Sequence, residues 1–405
     1  MHSYLTDLRQ GAAAICAIPA WRVQQGLVIL AEALMSFLAL FLLETGLAQT
    51  EVLAIFALVY GGCGVCVRIQ RTALLPASLS GLLPAGLGVL ALGGVAAALV
   101  SPQPATLALA AFGTMTLKDL VTTGAVSDVH RAAERLGLAP TRLVSTGMLV
   151  GALLMIVVLT GSGRLLSVAP SLWLLLIAGA CAALLVLILR RSVEIKTPAA
   201  SPHLPRNIRL ICTLSLLYNA VSFAGKRFIV PLAVATMARD LNLGADAYAM
   251  LGTLLSLLVL LGLSLRSISN GRFAPRSMMF SGFFTGLALW GVLAHLVAAP
   301  SLTWTTALTA LVCLLLVEIT AKIWTLGFIE TLRLEARSSS RPEADLAYYG
   351  YFMELKGYGA GMGFLVALAG ILSGLPALAP TVVLGLALGA LICIRTGSSR
   401  APVTS

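Results

Sequence analysis

Charge is scarce in this chain. Asp, Glu, Lys and Arg make up 11% of its 405 residues, against about 25% in an ordinary soluble domain. Hydrophobic residues make up 59%, and the mean hydropathy is +0.97. No polar stretch is long enough to form a separate soluble domain, so the composition points to a polytopic membrane protein. Asn-x-Ser/Thr sequons are missing. So are a Walker-type phosphate loop, a zinc-type His/Glu pair and a Ser-nucleophile elbow, which argues against an ATP-driven pump and a membrane hydrolase. No enzyme activity is expected. The seven cysteines are Cys16, Cys63, Cys66, Cys181, Cys212, Cys313 and Cys393. Most fall inside apolar stretches and read as small packing residues. Cys63-x-x-Cys66 has redox spacing, but it ends an apolar span with no soluble fold around it. No cofactor and no metal site are expected. Nor is a cleavable signal, because the first long apolar run continues well past signal-peptide length.

What the chain does have is a series of apolar runs. Twelve spans are read at residues 23–44, 50–67, 77–100, 104–127, 143–161, 168–189, 208–236, 247–265, 276–298, 302–329, 347–372 and 377–394. Several exceed the roughly 20 residues needed to cross a bilayer, which implies tilt or projecting ends. The connections alternate. Those after the odd-numbered spans are short and carry only Arg164 and Arg239 as basic residues, whereas the others hold clusters such as Arg68 and Arg71, or Arg131, Arg135 and Arg142. The positive-inside rule then puts both termini in the cytoplasm. The net charge of +11 is therefore a topology signal, and no nucleic-acid partner is expected.

The longest linker, residues 190–207, is basic and contains Pro198, Pro202 and Pro205. It separates a six-span bundle at 23–189 from another at 208–394, with a cytoplasmic segment at 1–22 and a cytoplasmic tail at 395–405. The halves echo each other. Gly124 and Gly327, near the ends of the fourth and tenth spans, are 203 residues apart, and the same offset puts Asp119 on Lys322. Gly147 and Gly151 in the fifth span are echoed by Gly357, Gly359, Gly361 and Gly363 in the eleventh. A repeated bundle around a central linker is a known transporter plan, with the substrate site near the membrane midplane.

In this architecture the chain resembles the major facilitator superfamily over residues 22–395. That family often carries a Gly-x3-Asp-Arg-x2-Arg pattern between the second and third spans. Here the place reads Gly64-Val65-Cys66-Val67-Arg68-Ile69-Gln70-Arg71, with the glycine and basic residues but no Asp. The repeat position, Gly262 to Arg266 and Arg272, is degenerate too. The fifth span has glycines but lacks the Gly-Pro pair frequent in family exporters. The resemblance implies an all-α fold of two six-helix pseudo-repeat bundles around a central cavity. It also implies that spans 1, 4, 7 and 10 line that cavity, and a gating role for Arg68 and Arg71.

Nine ionisable residues lie well inside the spans: Glu32, Lys118, Asp119, Lys226, Arg227, Glu318, Lys322, Glu354 and Lys356. All are in spans 1, 4, 7, 10 and 11. A charge at the bilayer centre costs about 2.5–3.5 kcal/mol on insertion scales, so it is accepted where it faces water or a partner. Glu318 and Lys322 are i,i+4 neighbours that can pair. Lys118 and Asp119 diverge by about 100° around the axis, which predicts that they point apart. Cationic groups at Lys118, Lys226, Arg227, Lys322 and Lys356 suit a carboxylate or phosphate. Asn219 and Tyr218 are further cavity candidates, and Trp324 either stacks on a substrate or packs in the core. A carboxylate in low dielectric can exchange a proton near neutral pH, and Glu32 and Asp119 are the candidates. The bland alternative is a set of structural or gating ion pairs.

The reading is a monomeric, proton-coupled secondary transporter of the bacterial inner membrane. It would work by alternating access on a small anionic or zwitterionic solute. Export of a metabolite, carboxylate siderophore or drug is favoured slightly over import. A non-transporting sensor or assembly factor on a transporter scaffold is the rival from another class.

Overall fold

A backbone in lipid must satisfy its own polar groups, so each apolar run is dictated to be helical. The computed structural model describes residues 6, 9, 13, 16, 19–71, 82–135, 140–191, 206–240, 246–265, 274–298, 303–338 and 344–398. Among the described residues there are twelve helices and no strand. In chain order they are α1 (Pro19–Glu44), α2 (Gln49–Arg71), α3 (Leu82–Val100), α4 (Pro104–Arg135), α5 (Pro140–Val168) and α6 (Pro170–Arg191). There follow α7 (three consecutive segments, Arg206–Ala224, Gly225–Ile229 and Val230–Asp240), α8 (Ala247–Leu265), α9 (Pro275–Val297), α10 (Trp304–Ser338), α11 (Ala344–Leu372) and α12 (Ala379–Ser398). Within the described residues nine helices are long and apolar enough to cross a membrane, and Pro170–Ala182 and Ala247–Leu261 are shorter apolar stretches. This is a multi-pass membrane protein.

Several helices outrun the spans read from hydropathy, α4 and α10 by the most at their C-terminal ends. α4 continues to Arg135 and α10 to Ser338, past the 127 and 329 set by apolarity. The added stretches are rich in Ala, Glu, Leu and Arg, good helix formers that need no lipid around them.

α7 is not a uniform α-helix. Gly225–Ile229 is a π-turn, closed by the Val230 N–H donating to the Gly225 carbonyl. Pro231 stands just beyond it. Proline has no N–H and its ring collides with the carbonyl one turn back, and a widened turn is one way to absorb that conflict.

Backbone contacts divide the chain into two compact units. Unit 1 comprises Met1–Leu42, Val65–Pro198 and Gly244–Leu263; unit 2 comprises Leu43–Gly64, Ala199–Leu243 and Ser264–Ser405. The division differs from the sequence halves, since most of α2 goes with unit 2 and α8 with unit 1.

Unit 1 packs Phe37 of α1 edge-on against Trp173 of α6 (6.4 Å) and at a tilt of 51° against Tyr248 of α8 (6.5 Å). α5 meets α8 at a small-residue crossing. There a Cβ on Gly163 would lie 2.4 Å from the Tyr248 carbonyl oxygen, and the Thr160 and Ser256 hydroxyls are hydrogen-bonded at 2.7 Å. Small residues permit such close approach between helices in lipid, where no hydrophobic effect drives association.

In unit 2, α11 carries two glycine faces. Gly357 and Gly361 oppose Gly64 and Gly61 of α2, and Gly359 and Gly363 oppose the Leu216 and Ala220 carbonyls of α7. The i,i+4 spacing within each pair keeps it on one face, so alternate pairs along one helix serve two neighbours. The turns after α1 and α11 use Gly46 (φ 88°) and Gly374 (φ 73°), the left-handed positions that close a helix C-terminus.

Candidate functional site

The charges of unit 1 meet at one point. Lys118 of α4 is buried, with its Nζ 3.6 Å from Glu32 Oε1 of α1 and 3.5 Å from Asp119 Oδ1. Both separations exceed the roughly 2.7–2.9 Å of a direct charge-assisted bond, so one ammonium stands between two carboxylates. Asp119 is buried, while the Glu32 side chain is 24% exposed. The expectation that Lys118 and Asp119 point apart is corrected here. Their Cβ directions do diverge, but the four-carbon lysine stem curls the ammonium back to its neighbour. Of the other helices of this unit, α3 and α8 contain no Asp, Glu, Lys or Arg, and those of α5 and α6 lie at or near the helix ends.

Unit 2 has the opposite balance. Lys226 Nζ of α7 contacts Glu318 Oε1 of α10, and Glu318 is buried while the Lys226 side chain is 35% exposed. The i,i+4 pair Glu318–Lys322 read from the sequence is therefore not the one formed. Tertiary packing supplies a nearer cation from the π-turn of α7. Lys322 is exposed, and among the described residues it has no acid within ion-pair distance. It lies one helical turn from Glu318 on α10. Arg227 follows Lys226 in the same turn but is buried, as is Glu354 of α11. Lys356 of α11 is half-buried, its Nζ 5.3 Å from the Phe223 ring centroid, a cation–π distance.

The wide turn is held by packing. A Cβ on Gly225 would come within 2.4 Å of Trp290 of α9, so the indole lies directly against the backbone that presents Lys226 and Arg227. Tyr218 and Asn219, both cavity candidates, go to different places. Asn219 is half-buried and its Nδ2 donates to the Ser215 carbonyl at 2.7 Å and to Ser215 Oγ at 3.0 Å. Tyr218 is buried and stacks on Trp324 at 4.9 Å, within a cluster that includes Phe283 and Phe328. Trp324 thus takes the core-packing alternative. The Tyr218 hydroxyl and the Trp290 Nε1 are buried without a hydrogen-bond partner among the described residues.

Arg68 is exposed near the end of α2; the Arg71 side chain lies outside the described residues, as do those of Tyr348 and Tyr349. A pocket of about 380 Å³ lies against Leu43–Gln49, Leu232, Thr236 and Arg239, well along α7 from Lys226 and apart from the buried charges. The Gly225 and Pro231 signals for the wide turn were present in the sequence and went unread. The Glu32–Lys118 and Lys226–Glu318 contacts, each joining separate helices, had no local signal.

No protein-family model matches the sequence, and no curated protein matches it. Solved structures do. The chain is similar to a mutant of the nucleoside transporter NupG, with TM-score 0.60 and 13% identity over 93% of this chain and 98% of that one. It is similar to a POT family transporter in complex with a thioalcohol-conjugated peptide, with TM-score 0.59 and 12% identity over 96% of each. A mutant of peptide transporter POT aligns at TM-score 0.56 and 13% identity, over 96% of this chain and 98% of that one. At such identities the likeness is one of fold: the twelve-helix arrangement implied by the major facilitator resemblance is the one this chain shares with solved transporters.

Proposed function

We propose that the protein is a secondary transporter that moves a small anionic or zwitterionic solute across the cytoplasmic membrane by alternating access. The observation that carries this reading is Lys322. An accessible ammonium with no acid partner among the described residues, midway along an apolar helix, is costly unless something else provides the counter-charge. A solute carboxylate or phosphate does so. Lys226 and Arg227 on the adjoining turn, and Lys356 on α11, add to the cationic excess of unit 2. Fold neighbours that are transporters of nucleosides or peptides support a small-molecule cargo.

Proton coupling rests on unit 1. Glu32 and Asp119 both face the Lys118 ammonium in a low-dielectric interior, the setting in which a carboxylate can take and release a proton. Glu32 is the more exposed of the two, and that supports it as the group that meets water. Both termini are assigned to the cytoplasm on the positive-inside pattern, and export is the direction favoured.

The test begins with untargeted mass spectrometry of cells and medium with and without the gene. A compound trapped in cells that lack the gene, and missing from their medium, identifies an exported cargo; one left in the medium identifies an imported one. The nominated compound is then followed in proteoliposomes under an imposed pH gradient. A gradient-driven flux that Lys322→Met lowers about 10- to 100-fold supports the reading. No difference in any compound across several growth conditions would move the protein to the non-transporting class.

A further inference from the structure

The hollow at the α1–α2 turn has no use in the arrangement described so far. Its volume of about 380 Å³ falls within the range of about 300–1,000 Å³ usual for small-ligand pockets. Leu43 and Leu47, on either side of the Gly46 turn, and Leu232 of α7 supply apolar wall, while Glu44, Gln49 and Arg239 supply the polar part. All of them belong to unit 2. The polar groups are unspent. Among the described residues the Glu44 carboxylate and the Gln49 amide have no hydrogen-bond or ion-pair partner. Arg239 has only Asp240, which accepts its Nε–H at 2.8 Å. That bond steadies the guanidinium plane and leaves the two terminal nitrogens, an end of the fork that can bind a carboxylate at two points. An acid and a base thus line one apolar hollow without pairing with each other.

We infer that this hollow is a second binding site, for a zwitterion with an apolar body. The solute ammonium goes to Glu44, its carboxylate to the Arg239 fork, and its side chain to Leu43, Leu47 and Leu232. Isolated exposed charges are satisfied by water. Here two opposite ones converge on an apolar wall, and one solute can bring both counter-charges and cover that wall. A pure anion meets Glu44 and a pure cation meets Arg239, so like-charge repulsion disfavours each. The hollow is separate from the lysines of the candidate site. Leu232 is six residues beyond Lys226 on α7 and Arg239 thirteen, roughly 9 and 20 Å along the axis. α1 ends, α2 begins and α7 ends at the hollow, so it serves as a station before or after the central one. That place on a transport path rests on the proposed function; binding in the hollow does not.

The test is calorimetric binding to the full chain in phosphatidylglycerol nanodiscs. The probes are L-leucine and leucyl-leucine, each beside its N-acetyl form, which lacks the ammonium, and its amide, which lacks the carboxylate. At least one zwitterion should bind, and removal of either charge should weaken it about 10- to 100-fold, the worth of one charge-assisted hydrogen bond. Glu44→Gln should weaken the zwitterion by a similar factor and bring it level with its N-acetyl form. Arg239→Gln should bring it level with its amide. Both side chains are exposed, so both variants should fold as the wild type does. The inference is overturned if neither zwitterion binds, or if a preference over the N-acetyl form survives Glu44→Gln. Binding that Lys322→Met abolishes and Glu44→Gln leaves alone belongs to the central site and overturns it too. So does a lipid occupant, revealed if phosphatidylethanolamine added to the nanodisc raises Tm in the wild type but not in Glu44→Gln while no soluble zwitterion binds. Absence of transport with this binding intact would sink the proposed function alone, so the two failures are distinguishable.

Discussion

Glu318 contacts Lys226 on α7 and not Lys322, the cation one turn along its own helix. That choice separates the two lysines by role. Lys226 is spent on a buried carboxylate, and Lys322 is left with a charge and an accessible surface. Removing an unpaired charge from a membrane span should not cost stability. Lys322→Met is therefore expected to keep or raise Tm while transport efficiency falls about 10- to 100-fold, the loss of one charge-assisted hydrogen bond of roughly 1.5–3 kcal/mol. Uptake kinetics in proteoliposomes beside a thermal melt check both halves. A variant that transports normally would remove Lys322 from the site.

The unit 1 cluster predicts a different variant behaviour. Lys118 lies between Glu32 and Asp119 at 3.6 and 3.5 Å, so Lys118→Met takes one ammonium away from two carboxylates. Breaking a buried pair in this way costs about 3–5 kcal/mol. Tm measured for the wild type, for Lys118→Met and for Lys118→Met combined with Glu32→Gln tests this. Removing one carboxylate should restore part of the loss, and a double variant no more stable than Lys118→Met would show that Lys118 does not hold these acids.

If those carboxylates carry the coupling proton, neutral isosteres should uncouple without abolishing binding. Glu32→Gln is expected to lose accumulation driven by a pH gradient yet retain solute counterflow, because exchange requires no net proton movement. Asp119→Asn, which alters the more buried acid, should weaken both. Gradient-driven accumulation that survives in both variants would take proton transfer away from this cluster.

These assignments mark how far the sequence was legible. The helices could be read because apolar runs in lipid have one outcome, and the charges stood out because they are costly where they lie. Pairing was harder. Helical spacing nominated Glu318–Lys322 and set Lys118 apart from Asp119. The structure instead joins Glu32 to Lys118 and Lys226 to Glu318, contacts between helices far apart in sequence. Local periodicity carries no information about which face of α1 meets α4. The interruption in α7 was a different kind of miss. Gly225 and Pro231 announce it, but hydropathy alone runs straight through residues 208–236.

Glycines give the last prediction, and their spacing in α11 makes it specific. A Cβ on Gly363 would lie 2.0 Å from the Ala220 carbonyl oxygen, and one on Gly359 would lie 2.4 Å from that of Leu216. Both obstacles are backbone, which cannot rotate away as a side-chain tip can. Gly363→Ala should therefore push α11 from α7 and destabilise unit 2 by about 1–3 kcal/mol, the usual scale of overpacking. Gly93→Ala in α3 is the matched control. A Cβ there meets nothing within 4 Å, and alanine is the better helix former by about 1 kcal/mol, so its Tm should hold or rise. Because α7 carries Lys226 and Arg227, Gly363→Ala should also impair transport beyond its loss of folded protein, read as activity per correctly folded molecule after size-exclusion chromatography. Equal behaviour of the two alanine variants would mean that the α7–α11 contact is looser than these distances imply.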